Sequence, residues 1–310
     1  MSTRLLVWTL AIVVLFGALA IGGSVWLLGD RGGEAEASAT VPSAAVDRFD
    51  GRRAYGYVRA QVDRGPRPAG SAASRSLADW LRKRLPNGRV EQVPGGLRNV
   101  VGTLPGSKPA IVIGAHYDTK VMPNARFVGA NDGAGGTAVV LELARALRRI
   151  RRPAGAPELR FVLFDGEESP DDNDDDFLTT GLRGSRAYAG RHASELGAMV
   201  LVDFVGQRGL RLPREGGSNE QLWDRLRAAA NTIGVGDVFP DRSIGEIYDD
   251  HTPFARAHVP AIDLIDWDYR CFHTACDTLA QIDQRSLDAT GEALIELLRQ
   301  RSPAAGTGVG

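Results

Sequence analysis

At 310 residues the chain can build one large domain or two small ones. A hydrophobic fraction of 43% and a formal net charge of −1 describe an ordinary globular protein, and the balance of charge gives no reason to expect a nucleic-acid partner. The first thirty residues depart from that average.

After a short tail (residues 1–4), Leu5 to Leu28 form 24 residues without a charge, enough to cross a bilayer core of about 30 Å as a helix. A cleaved signal peptide is the rival reading, since Ala35-Glu36-Ala37 imitates a cleavage site, but such a leader carries a shorter apolar core of about 7–15 residues. Residues 5–28 are therefore read as a transmembrane signal anchor. With Arg4 kept inside, the large domain lies outside the cytoplasm, or is secreted if the leader is cut. Residues 29–44, rich in Gly, Ala, Ser and Glu, read as a flexible tether. The folded domain is expected over residues 45–301, and 302–310 form a disordered tail.

Within that domain, Asn99 to Leu104 and Ala110 to Ala115 read as strands around a Pro-Gly turn. Gly135 to Ile150 has helical spacing and ends in arginines, which suit a helix C-terminus. Strands follow at Leu159 to Phe164, Ala198 to Val202 and Ala261 to Ile265. Helices are expected at Asn219 to Asn231 and Ser286 to Arg301. Alternating strands and helices predict a single-domain α/β fold with a mixed, largely parallel central sheet in a three-layer α/β/α sandwich.

The polar residues fall at the ends of these strands. His116 and Asp118 follow one, Glu167 and Glu168 a second, and Asp203 a third. Ligand sites in open α/β sheets gather beyond the carboxyl ends of the strands, so three strand ends deliver acids and an imidazole to one edge. With Asp132, in the glycine-rich stretch GANDGAGG, and His273, they make a mixed nitrogen and oxygen donor set that suits zinc. Each residue has a bland reading by itself. Asp132 at a helix start reads as a cap, Asp203 as a turn residue, and a single histidine as a satisfied structural group. The order and the boundary positions of the whole set favour the metal. Asp118 is placed to orient His116 from behind. Cys271 and Cys276 are close enough in sequence to pair locally in an oxidising compartment, and sequence does not establish that they do.

HYDT, GANDGAGG, FDGEE, GLRGS, VDFVG, DDHTPF and FHTACD together resemble metallopeptidase family twenty-eight, from about Ala45 to Arg301. That family holds zinc aminopeptidases and glutaminyl-peptide cyclotransferases. The resemblance implies Asp132, Glu168 and His273 as zinc ligands, with His116 and Asp203 completing a second site in aminopeptidases, so one or two ions are implied. It also implies Glu167 as general base and then acid, and peptide or protein N-termini as substrates.

Asp249, in Asp249-Asp250-His251, is similar to the cyclotransferase branch and is expected to share a proton network with Glu167 and Asp203. Its bland reading is a solvated turn. Three departures weaken that branch: Asp263 stands where a histidine is usual, Phe272 stands where a tryptophan is usual, and the acidic segment after the Glu pair lacks a tryptophan. Trp267 and Phe272 are the candidate substrate-binding aromatics. Cyclisation of N-terminal glutamine is the favoured reaction, aminopeptidase hydrolysis the alternative, and a non-catalytic ectodomain the third reading. Asp172, Asp174 and Asp176 alternate as in an EF-hand, but Phe177 and Arg183 replace the glycine and the closing glutamate, so that motif is rejected. Asp171 to Asp176 are expected to form a solvated charged rim, and Asp165 to support a turn.

Overall fold

The computed structural model describes residues 40–300. Among these no helix is long and apolar enough to cross a membrane. The expected span at 5–28, most of the tether and the tail lie outside the described residues. Val41, inside the segment read as tether, is buried among core residues, and the Ala45 N–H donates to the Ile233 carbonyl at 2.8 Å. Packing therefore begins before residue 45.

Six strands form one sheet: β1 (Arg89–Val93), β2 (Leu97–Leu104), β3 (Ser107–His116), β4 (Pro157–Phe164), β5 (Leu196–Val202) and β6 (Ala261–Leu264). Their order is β1-β2-β4-β3-β5-β6. The strands from β4 through β3 and β5 to β6 run parallel, and β1 and β2 add an antiparallel edge. The sheet is thus mixed, with a parallel centre, as the alternating pattern predicts. Strand β1 was not singled out in the sequence. It is a short edge strand with charged, exposed positions, so it carries little apolar signal.

Helices cover both faces. On one lie α1 (Gly51–Val62), α3 (Ala134–Leu147), α6 (Glu220–Thr232) and α8 (Gln284–Arg299), packed with Ile113 and Ala115 of β3 in the larger apolar cluster. α2 (Ala72–Arg82) packs against β2, and its Leu77 and Leu81 join the same cluster. Against the other face lie α5 (Arg183–His192) and α7 (Thr252–Arg256), whose Tyr188, Ala189 and Phe254 meet Ala110 and Val112. The two sets of β3 residues alternate along the strand, as a two-sided pleated strand requires. Between β4 and α5 a single-turn helix, α4 (Phe177–Thr180), follows the acidic segment.

One contact fixes the depth of α3. A Cβ on Gly136 would meet the Val202 carbonyl oxygen at 1.9 Å, so only glycine lets the start of this helix rest on the end of β5. That contact brings the loop bearing Asp132 to the strand end bearing Asp203.

Candidate active site

His116 is the last residue of β3, Glu167 and Glu168 follow β4, and Asp203 follows β5. Because the three strands are parallel, all of these groups emerge at one edge. Asp132 arrives from the loop before α3. There Gly133 has φ +82°, and a Cβ would sit 2.8 Å from the Asp118 carbonyl and 3.0 Å from the His116 ring. Gly133 is also the residue capping α3, with no side-chain cap bond, so the helix-cap reading of Asp132 falls away.

Asp277 holds the loop from behind. Its carboxylate accepts the Asn131 N–H at 2.9 Å, the Asp132 N–H at 3.1 Å and the Tyr269 hydroxyl at 2.6 Å. Arg67, wholly buried, donates to the carbonyls of Tyr117 at 2.8 Å, Val128 at 2.5 Å and Gly129 at 2.9 Å. Neither residue was marked in the sequence. Asp277 ends the stretch FHTACD with no sequence signal of its role, and nothing local distinguishes Arg67 from a surface arginine.

The Glu167–Glu168 pair is clamped through its backbone. Asp118 accepts both N–H groups, at 3.2 and 3.3 Å. The Glu167 carbonyl accepts the Leu182 N–H at 2.8 Å, and the Glu168 carbonyl accepts the Arg183 guanidinium at 2.8 Å. With the backbone fixed, the two side chains are free to serve different partners. The main work of Asp118 is therefore on the glutamate backbone. Its distance to His116 Nδ1 is 3.7 Å, and that nitrogen makes no hydrogen bond.

Asp132, Glu168 and His273 bring one donor atom each to within 4.8 Å of the others, the only such group among the described residues. His273 Nε2 lies 3.5 Å from Asp132 Oδ2 and 3.5 Å from Glu168 Oε2. Donor atoms about 2.0 Å from a tetrahedral zinc are about 3.3 Å apart, so these spacings fit that ion. Asp132 Oδ2 and Glu168 Oε1 are buried without a hydrogen-bond partner, as expected of oxygens meant for a metal. On the other side of Asp132, Oδ1 lies 3.3 Å from His116 Nε2, which is 3.5 Å from Asp203 Oδ1. Asp132 thus presents one oxygen to each histidine.

The electrostatics follow from burial. Desolvation pushes the Glu167 carboxyl well above the ordinary carboxylate range, with repulsion from Glu168 adding to it. Burial, with Asp132 beside it, pushes Glu168 up to about 7. Asp249 is likewise raised well above its usual value by burial, then by Asp203 and Asp250. Burial alone would lower His116, but the carboxylates of Asp118, Asp132 and Asp203 outweigh it and raise the imidazole well above its usual value. Asp249 is buried, so it is no solvated turn. One of its oxygens, Oδ1, accepts the N–H of Asp250 at 2.5 Å in the tight turn into α7.

These groups open onto a cleft of about 610 Å³ that Glu167, Asp249, Trp267 and Phe272 help to line. Phe272 stacks on the His273 ring, with centroids 3.9 Å apart, and Trp267 leans on Phe272 at 5.0 Å. Both aromatics are substantially exposed, so they are rim rather than core. Cys271 and Cys276 are joined as a disulfide around His273, which itself has φ +47°. A non-glycine residue held in the left-handed region persists only where its surroundings fix it.

Asp165 is a turn support, accepting the Ser74 hydroxyl and the Arg98 N–H, each at 3.0 Å. The acidic rim is mostly exposed, as expected. Asp174, exposed like the others, also has buried partners. It pairs with the buried Lys120, accepts the Ser169 hydroxyl at 3.0 Å and faces His273 Nδ1 at 3.6 Å.

Known proteins resemble this chain in sequence and in fold. Glutaminyl-peptide cyclotransferase of Bos taurus is 29% identical over an alignment covering 75% of this chain and 77% of that protein. The crystal structure of Acidobacteriales bacterium glutaminyl cyclase is 30% identical, with a TM-score of 0.72, covering 82% of this chain and 94% of that one. A leucine aminopeptidase precursor from Bacteroides thetaiotaomicron is 27% identical with a TM-score of 0.72, covering 84% and 99%. The model of peptidase family M28 matches residues 99–298, which include His116, Asp132, Glu167, Glu168, Asp203 and His273, and the chain belongs to that family of enzymes.

Proposed function

We propose that this chain is a zinc-dependent glutaminyl-peptide cyclotransferase, closing N-terminal glutamine to pyroglutamate with release of ammonia. The observation that carries the reading is the trio Asp132, Glu168 and His273 beside an unligated Glu167 on the same cleft. The similarity to the bovine enzyme and to the bacterial glutaminyl cyclase supports the choice of reaction. Zinc held by Asp132, Glu168 and His273 would supply Lewis acidity toward the substrate's side-chain carbonyl.

The chain's own residues then handle the proton. Glu167 accepts it from the α-amine as that nitrogen bonds to the side-chain amide carbon. The carbon–nitrogen bond to the amide nitrogen breaks, Glu167 returns the proton to that nitrogen, and ammonia leaves. Asp118 keeps Glu167 in place through the backbone. Asp249 lines the same cleft, its carboxyl raised well above the usual value by burial. Trp267 and Phe272 wall the substrate side chain and keep water from it.

Aminopeptidase hydrolysis is the second reading, favoured by the approach of His116 to both Asp132 and Asp203, which gives donors for a second ion. Asp263 in place of the usual histidine also leans that way. Incubating purified protein with a glutaminyl peptide and with aminoacyl anilides separates the two. Mass spectrometry would show loss of ammonia for cyclisation, and release of the N-terminal residue alone would overturn the proposal. We also propose residues 5–28 as a membrane anchor with the domain outside the cytoplasm. The Cys271–Cys276 disulfide supports an oxidising compartment.

A further inference from the structure

The acidic segment after the Glu pair holds one residue that behaves unlike its neighbours. Asp171 and Asn173 close small turns onto the N–H groups of Asn173 and Asp175, and the acids around them face solvent. Asp174, itself 44% exposed, is the one that pairs with buried side chains. Lys120 is only 4% exposed, and Asp174 is its salt-bridge partner. A buried ammonium needs such a partner, so Lys120 pins Asp174 as firmly as Asp174 neutralises Lys120. Ser169 adds a hydrogen bond at 3.0 Å.

The second oxygen of this anchored carboxylate, Oδ2, faces His273 Nδ1 at 3.6 Å, while Nε2 of the same ring faces Asp132 and Glu168. We propose that Asp174 is a positioning residue for His273. On closing from 3.6 Å to hydrogen-bond distance, Oδ2 would accept the Nδ1–H and leave the Nε2 lone pair for the metal, while Lys120 and Ser169 hold Oδ1. Metal-bound histidines gain their tautomer and orientation from such a partner. The backbone gives an independent reason for one here. His273 sits at φ +47° in a loop closed by the Cys271–Cys276 disulfide, and Phe272 covers one face of its ring, so the Nδ1 edge is where orientation is set. The same segment continues into Asp175, Asp176, Phe177 and Leu178, which line the cleft. The rim that meets substrate and the group that aims the last ligand are therefore one piece of chain.

This inference rests on the zinc reading, and the experiment separates the two. Zinc affinity of the purified full chain is measured by competition with a chromophoric chelator for wild type, Asp174→Asn, Lys120→Met and Asp175→Asn, with the cobalt-substituted proteins examined by visible absorption. Asp174→Asn should weaken zinc binding about 10- to 100-fold and shift the cobalt bands. Lys120→Met should weaken it less, and Asp175→Asn should match wild type. Unchanged affinity and spectrum in Asp174→Asn would overturn the positioning role while leaving the zinc site standing. Wild type that binds no zinc would overturn the zinc reading itself. Equal weakening in Asp175→Asn would show a general charge effect and also overturn the role of Asp174. Circular dichroism of the metal-free variants verifies that they fold, and if Asp174→Asn does not, the Lys120→Met spectrum decides.

Discussion

Replacing Asp277 with alanine would test whether the loop carrying Asp132 is held from behind. Asp277 is 1% exposed and is the acceptor for three groups: the Asn131 and Asp132 N–H groups and the Tyr269 hydroxyl. Alanine leaves all three without that partner. A buried donor left unpaired costs about 1–3 kcal/mol, so the loss is at least about 3 kcal/mol, against a total stability of about 5–15 kcal/mol. For a domain of this size that corresponds to a fall in Tm of about 6–12 °C. The measurement is equilibrium urea unfolding and thermal melting of chelator-treated protein, with exposed Asp268→Ala as control. A loss below about 1 kcal/mol would refute the reasoning, since it would mean that water reaches the orphaned donors. Zinc affinity should fall as well, because the Asp132 backbone is no longer fixed.

Glu167→Gln keeps the shape and the backbone clamp but removes the proton acceptor. Turnover should fall about a hundred- to ten-thousand-fold with zinc content unchanged, and retained turnover would exclude Glu167 as the shuttle. Gly136→Ala puts a methyl group 1.9 Å from the Val202 carbonyl and must push α3 away from β5. A destabilisation of about 1–3 kcal/mol or more in thermal melts is expected, together with weaker metal binding, and an unchanged melt would contradict the close contact. Asp288, raised to about 6 by burial and then by Glu292, gives a pH test away from the site. A carboxyl raised on folding favours the native state below its unfolded value, and that contribution is lost as pH rises through about 4 to 6. The difference in Tm between Asp288→Asn and wild type should therefore grow in favour of the variant across that window, and a difference independent of pH would refute the assignment.

The long apolar strands and their strand-end acids were legible because burial writes a continuous signal into the sequence. β3 to β6 and the helices α3, α6 and α8 appear within a few residues of their expected bounds. Helix α1 escaped notice because its arginines and two glycines dilute its apolar face, and β1 because it is a short charged edge. His116, Glu168 and Asp203 were found because a parallel sheet turns separate strand ends into one location, whereas Asp132 and His273 stand in loops and were assigned as ligands by the resemblance of their motifs.

What the sequence determined by itself is therefore the chemistry available: which acids and imidazoles stand at strand ends, and which neighbours they have along the chain. Tertiary structure alone decided how those groups are held. Arg67 and Asp277 act on backbone groups far from them in sequence, Asp118 serves the Glu167–Glu168 backbone more than His116, and Asp249 is buried yet bonds its own turn. A carboxylate carries no mark of whether water, a lysine or an imidazole will face it. Among the acids of residues 171–176, only the fold sets Asp174 against Lys120 and His273 while it still meets solvent like the rest.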